Sequence, residues 1–132
     1  MFSLLLIMAQ TADLPDCNQE KADEGIQREM NICAHRDYLI ADAQLNTQWK
    51  LTRAEMKRRD REGGQPEWDD RPGYFDTLLA AQRAWLTYRD AHCTSEGYFA
   101  RGGSLEPLLV STCKTALTKK RTGQLRELAR TY

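Results

Sequence analysis

Four cysteines and two histidines hold most of the reactive chemistry of this sequence: Cys17, Cys33, Cys93, Cys113, His35 and His92. A structural zinc site needs close ligand pairs, and no two of these cysteines lie about two to four residues apart, so spacing argues against zinc. A Cys–His nucleophile would need Cys33 to face His35, or His92 to face Cys93. Near neighbours in sequence do not share a helix face, so neither pair qualifies. Disulfide chemistry fits better, because an even number of cysteines in a short chain reads as a framework of two bridges. Gly102-Gly103 lacks the lysine and flanking pattern of a phosphate-cradling loop. The residues therefore offer no catalytic group, no metal-ligand set and no cofactor motif.

The compartment follows from the same cysteines and from the first residues. The only long apolar run is FSLLLIMA, from Phe2 to Ala9. A membrane span needs roughly twenty residues, so this run is too short to cross a bilayer. Its length suits the apolar middle of a secretory signal, with a cleavable stretch at Ala9-Gln10-Thr11-Ala12. No Lys or Arg precedes it, so the signal is atypical or the true start lies upstream of Met1. Asp16 before Cys17 argues against lipid modification. Residues 1–12 are thus expected to be a signal remnant and 13–132 a single domain, periplasmic or secreted. A chain of 132 residues suits one core. Nineteen basic residues cancel nineteen acidic ones. Zero net charge argues against a nucleic-acid binder or a polybasic membrane-surface protein.

Positioning the cysteines requires three amphipathic helices. From Ile26 to about Arg59 there is no Pro or Gly, and Tyr38, Ala41, Leu45, Trp49, Thr52 and Met56 recur at helical spacing. A polar loop follows, punctuated by Gly63-Gly64, Pro66 and Pro72-Gly73. A second helix is expected from Tyr74 or Asp76 to Cys93, with Leu78, Trp85, Leu86 and Cys93 inward. Thr94 to Glu106 reads as a loop because of Gly97, Gly102 and Gly103. Pro107 suits the first turn of a third helix reaching about Ala129. Its inward stripe reads Val110, Cys113, Leu117, Arg121, Gln124 and Leu128. No run alternates like a strand. The fold class is therefore all-α, an antiparallel three-helix bundle, or four-helix if a further short helix forms.

Two consequences concern the interior. Gln82 and Arg89 sit near the centre of the second helix's apolar side, where a buried charge needs a partner. Asp42 lies on the inward side of the first helix and suits Arg89, while Asn46 suits Gln82; Arg121 adds a second arginine within an apolar stripe. Asp42, Asn46, Gln82, Arg89 and Arg121 are thus expected to form a structural polar network. Of three cysteine pairings, the local one (Cys17–Cys33 with Cys93–Cys113) closes loops of about 15 to 20 residues, each contributing about 3 kcal/mol. A continuous helix from 17 to 33 would hold those cysteines about 24 Å apart. Cys17 must then lie on a strap folded back along the first helix, which Gly25 permits.

These residues also form a pattern. Cys17…Glu29-Met30…Cys33…Ala41-Asp42-Ala43-Gln44-Leu45-Asn46 is followed by Ala81-Gln82-Arg83-Ala84-Trp85…Tyr88-Arg89-Asp90…Cys93, then by Gly103-Ser104…Cys113…Thr122…Leu125. It resembles the LprI-type lysozyme inhibitor domain over roughly residues 17 to 128, most specifically in the AQRAW-to-RDxxC segment. The resemblance implies an exported helical domain with paired cysteines and no catalytic motif. It implies, more weakly, inhibition of a lysozyme or another wall-degrading enzyme. The alternative is a periplasmic helical module that binds a different envelope protein.

An inhibitor of that kind would act through its loops. Lysozymes use two carboxylates in a cleft, and charge-assisted donors bind carboxylates strongly. Within Thr94–Glu106, Arg101 is the candidate carboxylate partner, Ser104 a second donor and Tyr98 an aromatic anchor; the alternative is that Gly103-Ser104 caps the third helix region and Arg101 is an ordinary solvated charge. Trp68, in Glu67-Trp68-Asp69-Asp70, is expected to tuck against the core, the alternative being an aromatic anchor for a partner. Glu62–Tyr74 is the second surface to consider.

Overall fold

The computed structural model describes residues 13–130. The expected signal remnant at residues 1–12 lies outside the described residues. Among the described residues four α-helices follow in order: α1 (Gln19–Asp23), α2 (Gln27–Glu62), α3 (Tyr74–Gly97) and α4 (Glu106–Leu128), with a 3-10 turn at Tyr98–Ala100 before α4. There is no strand among the described residues. The architecture is all-α, with α2, α3 and α4 arranged up, down and up.

The strap before α2 has the form that the cysteine spacing demands. The side chain of Asn18 caps α1 by accepting from the Lys21 N–H at 3.0 Å. Gly25, at φ 88°, turns the chain back, a conformation that costs glycine little. Arg36 then donates to the Pro15 carbonyl at 3.2 Å, so the strap lies along α2. Cys17 reaches Cys33 with a Cα–Cα distance of 5.0 Å, and Cys93 reaches Cys113 at 5.4 Å. Both expected bridges form.

α2 runs 36 residues, about 54 Å at the usual rise, because nothing between Gln27 and Glu62 breaks it. Its far end organises α3. The Asp60 carboxylate accepts the N–H groups of Tyr74 at 2.7 Å and Phe75 at 3.0 Å. These are donors that a helix start leaves without intrahelical partners. Gly73 leaves room beside it, since a Cβ there would stand 2.6 Å from Asp60 Oδ1 and would push that carboxylate off its capping position.

α3 extends one turn past the expected end, so Thr94 to Gly97 are helical rather than loop. Gly97 is a packing glycine: a Cβ would lie 2.6 Å from Val110 Cγ2, and its absence lets α3 approach α4 closely. The turn glycine is Gly102, at φ 82°.

The core joins Leu45 and Met56 of α2, Leu78 of α3 and Leu125 of α4, with Trp49, Phe75 and Trp85 packed against them. Two expected faces differ from those observed. Leu86 points outward. On α4 the buried residues are Ser111, Cys113, Thr118, Thr122 and Leu125, so Val110, Leu117, Arg121, Gln124 and Leu128 are not its most buried stripe. The helix is turned by one residue, about 100°. The reason lies in α2, against which α4 packs most extensively. Small hydroxyl side chains allow a close approach, and carbonyls neutralise their polarity. Thr122 donates to the Thr118 carbonyl at 2.9 Å and Thr52 to the Leu125 carbonyl at 2.8 Å.

Candidate functional site

The segment joining α3 to α4 is short, exposed and anchored. The N–H of Arg101 donates to the Tyr98 carbonyl and that of Gly103 to the Ala100 carbonyl, which shapes a compact double turn. The Asn31 side chain of α2 donates to the Ser104 carbonyl at 2.8 Å. Cys93–Cys113 ties the two flanking helices just behind. The segment therefore projects from a fixed base.

Two of the three residues expected to bind a partner meet there. The Arg101 guanidinium lies over the Tyr98 ring, 4.3 Å from its centroid, and has no acidic partner among the described residues. Stacking holds the cation in place while leaving its N–H donors free. Ser104 is exposed, and it engages α2 through its carbonyl rather than joining that pair. Phe99, which drew no attention in the sequence, is 89% exposed beside them.

A groove of about 440 Å³ opens next to this turn, lined by His35 and Tyr38 of α2, Thr94 and Tyr98, and Pro107 and Lys114 of α4. It is invisible in the sequence because its residues come from three helices. Lys114 Nζ stands 5.4 Å from the Tyr38 ring centroid and 3.9 Å from Asp90.

Beneath the groove lies the polar network. Arg89, only 5% exposed, donates through Nη1 to Asp42 and to the Thr118 hydroxyl, both at 3.3 Å, and through Nε to Asp90 at 3.0 Å. Its guanidinium stands 5.3 Å from the Tyr38 ring centroid and 5.2 Å from that of Trp85. Burial opposes its charge, but the bond to Asp90 and its other partners more than offset this, and its pKa is raised. Burial, together with the negative charge of Asp42, raises the Tyr38 phenol. Tyr38 is thus a network member that helical spacing alone presents as an apolar face residue.

Asn46 is a correction. It is exposed, one residue and about 100° round from buried Leu45, and does not meet Gln82. Gln82 instead accepts from Arg121 Nε at 2.9 Å. Burial lowers the Arg121 pKa, and its Nη2 is buried with no hydrogen-bond partner.

The opposite end of the bundle carries residues 63–73. Trp68 is 80% exposed there, not tucked against the core. The loop is braced internally instead. The Gln65 side chain donates to the carbonyls of Asp69 and Arg71, and Arg71 forks onto the Asp69 carboxylate. With its polar groups satisfied locally, the loop holds its shape without the indole. Nearby, the Glu55 carboxyl is lowered to about 2, first by its hydrogen bond from Arg58 and also by that from Arg59.

The family profile described as lysozyme inhibitor LprI matches residues 17–125, from the first bridging cysteine to the core residue Leu125. This chain belongs to the LprI lysozyme inhibitor family. It is also 44% identical over 130 residues to a protein of Rhizobium meliloti (strain 1021) named "Uncharacterized protein R02472". That alignment covers 96% of this chain and 90% of the relative. No solved structure matches. Among the described residues no helix is long and apolar enough to cross a membrane. The two disulfides and the family together point to an extracytoplasmic protein.

Proposed function

We propose that this protein is an exported inhibitor that binds a lysozyme or another peptidoglycan-degrading enzyme and blocks its cleft with the Tyr98–Ser104 turn. The observation that carries this reading is the exposed Arg101 guanidinium, stacked on Tyr98 and free of any acidic partner among the described residues. A muramidase cleft holds paired carboxylates, at least one of them ionised. A guanidinium matches a carboxylate with two parallel N–H donors. Holding that cation on a tied turn lowers the entropy lost on binding. Tyr98 and Phe99 supply the aromatic area that interface centres favour. Family membership supports the class of partner.

The test is inhibition of a c-type and a bacterial muramidase by wild type and by Arg101→Ala at equal folded concentration. Losing a charged hydrogen bond of about 1.5–3 kcal/mol weakens inhibition roughly ten- to a hundredfold. No inhibition by wild type removes the function. Equal inhibition by both proteins clears Arg101 of the role.

A second reading has its own observation. Trp68 stands out on a braced loop at the opposite end, the form expected of a helical interaction module docking a different envelope protein. Wild type that inhibits neither muramidase, yet retains a periplasmic partner that Trp68→Ala loses, favours this reading.

A further inference from the structure

The fold assembles a set of metal ligands that their spacing in the chain conceals. A ring nitrogen of His92, a carboxylate oxygen of Glu96 and Cys113 Sγ all lie within 4.8 Å of one another. His92 and Glu96 share a face of α3 four residues apart, with Nε2 and Oε1 separated by 3.2 Å. Cys113 reaches them from α4, and its bridging partner Cys93 directly follows His92. These three donors therefore converge where the two helices are stapled, and Cys93 Sγ is bonded to Cys113 Sγ beside them. While the bridge is closed, neither sulfur is a thiolate, and the thiolate is the form that binds metal.

We propose that reduction of Cys93–Cys113 opens a zinc site built from Cys93, Cys113, His92 and Glu96. A dithiol reductant supplies the two electrons and two protons. The S–S bond breaks, two thiols form, and the reductant becomes its own disulfide. Zinc binding then releases both thiol protons to solvent and leaves two thiolates, a neutral imidazole and a carboxylate around the ion. Two sulfurs, one nitrogen and one oxygen make a four-coordinate set of the types zinc accepts.

The surroundings suit an ion entering from outside. Cys93 is fully buried and Cys113 is 7% exposed, which gives the site a dry inner side. The His92 and Glu96 side chains are 41% and 53% exposed, which leaves an entry path. Tyr88 stacks on the His92 ring at 5.3 Å between centroids and so restrains its orientation. Such a site would let an ion replace the covalent link between α3 and α4, keeping the base of the Tyr98–Ser104 turn tied in either redox state. This inference does not depend on the muramidase reading.

Cobalt(II) is the probe, used on the full chain reduced with a phosphine and desalted without oxygen. Expected for the reduced chain are one equivalent bound, a thiolate-to-cobalt charge-transfer absorption, and tetrahedral visible bands that one equivalent of zinc abolishes. The oxidised protein gives no thiolate absorption. His92→Ala and Glu96→Gln, both at partly exposed positions, each weaken binding about tenfold or more. The paired Cys17→Ser and Cys33→Ser variant retains the site. Reduced wild type without the thiolate bands overturns the proposal. So does cobalt binding unaffected by His92→Ala, or bands that vanish in a folded Cys17/Cys33 variant. If that double variant does not fold, the His92→Ala result in the wild-type background decides.

Discussion

Arg89 is the most demanding test of how this interior is built, because a cation there is 5% exposed and faces three helices' worth of partners. Truncation to alanine removes its hydrogen bonds to Asp42, Thr118 and Asp90 and empties the space between Tyr38 and Trp85. Breaking a fully buried ion pair costs about 3–5 kcal/mol. Here the discount is visible: the Asp42 side chain is 33% exposed and that of Asp90 55%, so water takes over part of their solvation. The buried side-chain volume acts in the other direction, since large-to-alanine changes in a core cost about 2–5 kcal/mol. Arg89→Ala is therefore expected to lose about 3 kcal/mol. Arg89→Met keeps most of the stem and loses the charge, and is expected to cost about half as much. Urea unfolding followed by circular dichroism measures both, with the slope unchanged if only stability moves. A loss under about 1 kcal/mol in Arg89→Ala refutes the structural role, because neither the pair nor the packing would then matter. A methionine variant as unstable as alanine refutes the packing share of the estimate and assigns the whole effect to charge.

Three further outcomes follow from the α2–α3 junction and the Glu55 cluster. Asp60→Ala removes the acceptor for two α3 N–H groups and is expected to cost about 1 kcal/mol in chemical denaturation. Gly73→Ala destabilises as well, because its Cβ meets Asp60 Oδ1 at 2.6 Å. In an Asp60→Ala background it costs less, so a double-mutant cycle without coupling contradicts the contact. The Glu55 carboxyl falls from 4.5 to about 2 on folding. A depressed folded pKa means stability present above 4.5 and lost as pH falls toward about 2. Glu55→Gln is expected to flatten that part of the acid unfolding profile by lowering stability at neutral pH while leaving it nearly unchanged near pH 2, and an unaltered acid limb contradicts the pairing.

The extent of α2 and the starts of α3 and α4 were legible in the sequence because Pro and Gly act locally: they break or start a helix wherever they stand. The strap was legible for a covalent reason. A disulfide cannot span sixteen residues of continuous helix, so Cys17 had to fold back. Arg89 was legible through conflict, since a charge on an apolar face must find a partner, and Asp42 was within its reach. Gly97 was misread for the opposite reason. A glycine that permits a turn and one that permits close helix packing look alike until the neighbouring Val110 is in place.

What the sequence determined by itself, then, is the helical class, the punctuation and the cysteine framework, all properties of short stretches of chain. Tertiary structure decided which face of each helix turned inward. On α4 the stripe of Ser111, Thr118 and Thr122 and the more apolar stripe one residue away were both open to burial. The close packing available against α2, with carbonyls to accept the hydroxyls, selected the former. Tertiary structure also decided every shared site. The stacking of Arg101 on Tyr98, the groove between His35 and Lys114, and the meeting of His92, Glu96 and Cys113 join residues on different elements or in turns of non-repeating geometry. Helical periodicity relates residues within one helix. The distance between side chains on two helices is set by packing, and no spacing along the chain encodes it.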